Sequence, residues 1–208
     1  MKNNIRTFLI PGMGATCAMY ENLYRVNPDI VGCDWPKGKT FKSFNDLAKC
    51  CIQEYGITSN DVVAGSSMGG MVACEMFGEL QCRGLVLIGS CSDPRSVPLH
   101  KLSWLGSYAV NDRLLNISAQ SVPWGMPLKS SLLSDPGFVK WSLTSFSNWK
   151  GVQLGKDVRV HHIHGMLDPI IPIINFDADR VIKLGGHLIA MTHYKDVGKY
   201  ISRVQESC

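Results

Sequence analysis

An α/β architecture is predicted for this chain, with a mainly parallel central sheet and helices on both faces. Three observations predict it. Short apolar runs alternate with helical patterns along most of the chain, and parallel strands need crossover connections that are usually helices. The runs Asp61-Val62-Val63-Ala64 and Gly84-Leu85-Val86-Leu87-Ile88 carry almost no polar residue, as expected of strands covered on both sides. The 208 residues, 45% hydrophobic and 18% charged, are long enough for one well-buried core and short for two ordinary domains. A single domain over 1–208 is expected.

The elements follow in order. Residues 6–10 read as the first strand, 12–16 as a turn and 17–25 as a helix. Residues 29–33 read as a short strand ending in Asp34-Trp35-Pro36. Ser43 is placed to cap a helix over 44–55, whose apolar positions Phe44, Leu47, Cys51 and Tyr55 recur at helical spacing. A strand over 61–64, a helix over 68–80 and a central strand over 84–88 follow. The alternation then breaks. Pro94, Pro98, Pro123, Pro127 and Pro136 punctuate the stretch, and Trp104, Trp124, Trp141 and Trp149 enrich it. It reads as a lid of short helices inserted at about 93–155. Within it, Asp135 can cap a helix that has Pro136 at its first position and ends near Phe146. Trp141, Phe146 and Trp149 are read as packing on the core rather than lining a pocket. Strands over 158–163 and 180–184 and a terminal helix over 195–204 complete the pattern.

Composition excludes several functions. The net charge is +4 with acids and bases interspersed, and no Arg/Lys stripe with interleaved aromatics suggests nucleic acid. No apolar run reaches the ~20 residues of a membrane span. Cysteines stand at 17, 33, 50, 51, 74, 82, 91 and 208 without a C-x-x-C pair, which removes the zinc-knuckle and thioredoxin readings. Met1-Lys2-Asn3-Asn4 leads into a strand without a long apolar leader. Free thiols and a cytoplasmic, reducing location are expected.

The chemistry centres on Gly65-Ser66-Ser67-Met68-Gly69 between a strand and a helix. This G-x-S-x-G has the form of a nucleophile elbow, a turn too tight for side chains at the flanking positions, and it marks Ser67 as the nucleophile. Two further pieces lie downstream. Asp168 stands in His164-Gly165-Met166-Leu167-Asp168-Pro169, and His187 in Gly185-Gly186-His187-Leu188, each after a strand-like run. With these blocks and Ile10-Pro11-Gly12-Met13-Gly14, the chain resembles a small α/β-hydrolase-fold serine hydrolase. The likeness is to the esterase-like group that includes the pimeloyl-carrier-protein methyl ester esterases. It covers nearly the whole chain and is loosest over about 93–155. It implies the α/β-hydrolase fold with the usual first two strands missing and a reduced lid. It also implies the chain order Ser67, Asp168, His187 for a catalytic triad.

A serine hydroxyl needs an adjacent base, and the base needs an orienting partner. His187 would take the Ser67 proton, and Asp168 would hold the imidazole tautomer. The amides of Met68 and Met13 would form the oxyanion hole, and Gly12 would let the backbone approach the substrate. Asp93, which also follows a strand, rivals Asp168 as the acid; His193 and His164 rival His187. The run His161-His162-x-His164 invites a metal reading. In a strand 162 and 164 share a face and 161 points away, so at most two could co-ligate, and a strand of hydrogen-bonded histidines is the better reading.

No metal, nucleotide or redox cofactor is implied. The expected substrate is a small-molecule carboxylic ester or thioester. The alternatives are a thioesterase or an esterase serving an acyl carrier, toward which Lys101, Arg113, Lys129 and Lys140 are scattered basic candidates, and, from another class, a low-turnover ligand-binding receptor or interaction protein on the same fold. Trp124 and its apolar neighbours Trp104, Leu105, Met126 and Leu128 would roof the acyl site. Each buried methylene is worth about 0.8 kcal/mol, so preference should rise from acetyl to short or medium acyl chains. Trp124→Ala is expected to change the shape of a kcat/KM series over acyl length; profiles of identical shape would show that Trp124 does not select the acyl chain.

Overall fold

The computed structural model describes residues 5–97, 135–155 and 158–208. Its described strands are β1 (Thr7–Ile10), β2 (Ile30–Gly32), β3 (Val62–Ser66), β4 (Gly84–Ile88), β5 (Val160–Gly165) and β6 (Arg180–Ile182). They lie in one sheet in the order β2-β1-β3-β4-β5-β6, and every pairing is parallel. The chain leaves β1 for β2 on one side and then returns to β3 on the other. This reversal opens a crevice at the carboxyl ends of β1 and β3, the place where open parallel sheets bind ligands. Ile10 pairs with Gly65 there.

The helices are α1 (Glu21–Val26), α2 (Phe44–Tyr55), α3 (Met68–Leu80), α4 (Pro136–Asn148), α5 (Ile189–Thr192) and α6 (Tyr194–Ser207). Side chains of a strand alternate between faces, and β4 shows why its sequence is apolar throughout. Leu85 and Leu87 enter the core beneath α2 and α3, with Phe8, Leu47 and Met76. Val86 and Ile88 enter the opposite core, with Leu9, Leu23, Ile163, Val197, Ile201 and Val204. That second core is closed by α1 and α6. Asn27 donates to Ser202 Oγ and Gln205 Oε1 at 3.0 Å each, and Gln205 donates to the Ile5 carbonyl at 2.9 Å.

Local signals set several boundaries. Ser43 accepts from the Asp46 amide at the start of α2, and Gly56 ends it at a φ of +60°. Asp135 caps α4 through the Phe138 amide at 2.8 Å, with Pro136 in the first turn. Elsewhere the elements depart from expectation. The helix expected over 17–25 is a 3-10 turn, Cys17–Tyr20, followed by α1. β5 extends to Gly165, so His164 lies inside the strand. β6 stops at Ile182 because the Gly185 amide turns back to the Ile182 carbonyl at 3.0 Å.

Of the region expected as a lid, Pro94–Ser96 is a 3-10 turn and α4 packs beside α2. Trp141 donates to the Phe41 carbonyl at 2.6 Å and Trp149 to Glu75 Oε1 at 2.7 Å. Both rings lean on Phe44, with centroids 5.9 and 6.0 Å away. Trp149 is buried in the core, and half-buried Trp141 packs against it. Trp104, Trp124, Lys101, Arg113 and Lys129 lie outside the described residues. All eight cysteines are free thiols. Burial is the main cause that pushes Cys51, Cys82 and Cys91 up to about 12, so these buried thiols stay protonated. Among the described residues, no helix is long and apolar enough to cross a membrane.

Candidate active site

Ser67 sits between the end of β3 and the start of α3 at φ 54° and ψ −126°. A non-glycine residue pays about 1–3 kcal/mol for such a conformation, and the surroundings hold it there. A Cβ at Gly65 would fall on the backbone of Gly69 and Gly70, and one at Gly69 on the carbonyls of Ile10 and Pro11. The glycines let β1, the turn and α3 pack backbone to backbone. The Ser67 amide donates to the Ile88 carbonyl at 3.1 Å, and Ser90 Oγ donates to the Ser67 carbonyl at 2.6 Å. The turn is pinned from β4 as well as from its own strand.

Two more loops reach the same edge. The loop after β5 carries Asp168, and the loop after β6 carries His187. The Leu167 amide donates to the Gly185 carbonyl at 2.8 Å, tying the loops together. His187 Nε2 lies 2.8 Å from Ser67 Oγ, and His187 Nδ1 lies 2.8 Å from Asp168 Oδ2. A carboxylate only accepts, so Nδ1 carries the proton and Nε2 is left to accept from the serine. Asp168 is buried, and its Oδ1 takes the amides of Ile170 and Ile171 at 2.9 Å each. Burial alone would raise its pKa. Hydrogen bonds from His164, His187 and Ile171 outweigh that and hold the carboxyl well below the usual carboxylate range. His187 remains about a tenth exposed.

Two of the rival residues, Asp93 and His193, are placed elsewhere; the third, His164, faces Asp168 and not Ser67, with its Nε2 3.2 Å from Asp168 Oδ2. Asp93 caps the 3-10 turn and pairs with exposed Arg95. His193 is the N-cap residue of α6 and contacts Thr192 Oγ1 at 2.9 Å. Met68 opens α3, where first-turn amides have no intrahelical partner. Gly12 lies against Ser67: a Cβ there would stand 3.5 Å from Ser67 Cβ. Its polar groups are engaged. Its amide donates to Tyr20 Oη at 3.3 Å, and its carbonyl accepts from Ala15 N and Trp35 Nε1 at 3.0 Å each. The loop is thereby fixed at Gly12, and Met13, half-buried against the core, is the next residue in the chain. Tyr20, Trp35 and Ser90 were not singled out from the sequence, because no motif marks them.

Among the described residues, no group of three or more His, Cys, Asp or Glu side chains could hold a metal. His162 and His164 share a face of β5, and their Nε2 and Nδ1 atoms lie 3.1 Å apart. Burial and then His164 push His162 down to about 4, against Asp179 and the Ser90 backbone, which act upward. A depressed histidine leaves the folded state binding fewer protons than the unfolded chain between pH about 4 and 6.5. Stability is therefore lost as pH falls through that window, by about 3 kcal/mol in all. Urea midpoints measured from pH 7 to 4 should fall, and His162→Leu should flatten that fall; an equal slope in the variant would assign it to other groups.

No protein-family model matches the chain, and no curated protein matches it in sequence. Solved structures do match. A thermophilic esterase from Thermogutta terrifontis superposes with a TM-score of 0.75 at 17% identity, covering 98% of this chain and 90% of its own. The N-acyl homoserine lactonase AidH, as an E219G mutant with N-hexanoyl homoserine, gives 0.77 at 16%, covering 99% and 90%. RedJ-thioesterase from the prodiginine biosynthetic pathway of Streptomyces coelicolor gives 0.67 at 15%, covering 96% and 86%. These likenesses, with the parallel sheet order and the turn at Ser67, show that the chain has the α/β-hydrolase fold.

Proposed function

We propose that the protein is a serine hydrolase that cleaves a small-molecule carboxylic ester or thioester through an acyl-enzyme intermediate. One observation carries the reading: the unbroken chain from Ser67 Oγ to His187 Nε2 and from His187 Nδ1 to Asp168 Oδ2, both links 2.8 Å. Ser67 attacks the carbonyl carbon while His187 takes its proton. The amides of Met13 and Met68 receive the oxyanion, each such donor being worth roughly 2.7–4 kcal/mol in the transition state. Collapse breaks the bond to the leaving alcohol or thiol, which takes the proton from His187. Water then attacks the acyl carbon while His187 takes its proton; collapse breaks the bond to Ser67 Oγ, which takes that proton back from His187 as the acid leaves. Gly12 keeps the wall beside Ser67 free of a side chain. The esterase, lactonase and thioesterase identities of the solved neighbours support this class of reaction. The unpaired thiols suit a reducing compartment, and the cytoplasm is proposed.

A fluorophosphonate probe, with a turnover screen of p-nitrophenyl esters and acyl thioesters, tests the reading. Stoichiometric labelling and hydrolysis are expected. The ester-to-thioester ratio assigns the leaving group, and carrier-bound thioesters that outpace free ones would bring in an acyl carrier. Binding of acyl esters with neither labelling nor turnover would make the protein a receptor on this fold.

A further inference from the structure

Behind Asp168 stands a second imidazole that the mechanism above does not use. His164 is fully buried at the end of β5. Its Nε2 lies 2.8 Å from the Ile171 carbonyl and 3.2 Å from Asp168 Oδ2. Both are acceptors, so Nε2 carries a proton that the two oxygens share. His164 Nδ1 is then a lone pair, and the atom facing it at 3.1 Å, His162 Nε2, supplies the proton. Phe176 holds both rings in place, stacked on His162 at 4.7 Å and edge-on to His164 at 4.8 Å. The Ile171 carbonyl thus sets the tautomers of two successive rings.

The carboxylate is saturated by this arrangement. Oδ1 accepts from the Ile170 and Ile171 amides, and Oδ2 from His187 and His164. Four donors meet a group with about four acceptor sites. The Oδ1 contacts are backbone amides of the loop that carries Asp168 and move with it. His164 belongs to the strand. Its contact ties Oδ2 to the sheet, which also carries Ser67 at the end of β3. The terminal torsion of an aspartate is otherwise broad, and a misplacement of about 1 Å in a catalytic constellation can cost 10²-fold in rate.

We propose that His164 is a positioning residue for hydrolysis: its Nε2–H pins Asp168 Oδ2 in the orientation that receives His187 Nδ1–H, and His162 secures the tautomer that makes this possible. The proposal rests on the reading of Ser67, His187 and Asp168 as the triad. The test compares kcat and KM of wild type, His164→Leu and His164→Gln on one p-nitrophenyl ester, with rates divided by the number of sites that a fluorophosphonate titrates. Leucine keeps the apolar volume without a donor; glutamine returns an N–H at similar reach. The expected result is a kcat about 10- to 100-fold lower for His164→Leu with KM little changed, and recovery of most of that loss in His164→Gln. If His164→Leu yields no folded protein, His164→Asn replaces it, because its shorter amide falls short of Oδ2. Wild-type kcat per titrated site in the donor-less variant would overturn the proposal. Equal losses in both variants with a raised KM would assign His164 to packing and overturn it too. Failure of wild type to label at all would instead remove the triad reading beneath it.

Discussion

Substitution of Ser67 by alanine is expected to abolish fluorophosphonate labelling and to lower ester turnover by roughly 10⁴- to 10⁶-fold. The change removes one oxygen at the end of the chain formed with His187 and Asp168. The fold should survive, because the bonds that hold the turn run through the Ser67 amide and carbonyl and leave the hydroxyl free of that task. Labelling and kinetics with a parallel thermal melt check this. Labelling that moved to Ser66 or persisted undiminished would show that the nucleophile has been misassigned.

Asp168→Asn should be the next largest loss, about 10⁴-fold in kcat. The geometry makes the substitution unusually unfavourable. The Ile170 and Ile171 amides demand an oxygen on one side. The new amide nitrogen must then face His187 Nδ1–H and His164 Nε2–H, donor against donor. Relief comes from moving the His187 proton to Nε2, where the ring can no longer accept from Ser67. Asp93→Asn should have a small effect, since Asp93 serves a surface turn and an exposed arginine. Kinetics of the two variants side by side decide the matter; the opposite ranking would transfer the acid role to Asp93.

The features legible in the sequence are those with a local physical cause. The span of α2 follows from Ser43, Gly56 and an apolar stripe at helical spacing. The elbow is legible because backbone collisions at Gly65 and Gly69 restrict which residues can stand there. Asp168 and His187 were visible as polar residues in tight loops after strands. The contacts that secure the site had no such signal. Ser90 on the Ser67 carbonyl and Trp35 on Gly12 depend on which strands become neighbours in space, and Tyr20 on Gly12 and His164 on Asp168 depend on how the intervening turns fold back. Strand alternation puts His162 and His164 on one face, but it does not say that Ile171 and Asp168 are the partners of His164. The stretch from Cys91 to Ser134 is less legible for a different reason: Pro94, Pro98, Pro123 and Pro127 punctuate it and break the alternation of strand and helix.

The position of α6 bears on how the molecule is made. Val197, Ile201 and Val204 close the core formed by Leu9, Leu23, Val86 and Ile163. The helix is also stitched to Asn27 and Ile5, residues from the opposite end of the sequence. A nascent chain can pair β1 with β3 and lay α2 and α3 on one side long before residues 194–207 exist. The other side of that sheet then has α1 but lacks the cover of α6, and exposes apolar surface of the kind that makes partly folded chains aggregate. Closure of that core therefore waits on the synthesis of α6, the last helix of the chain to be made.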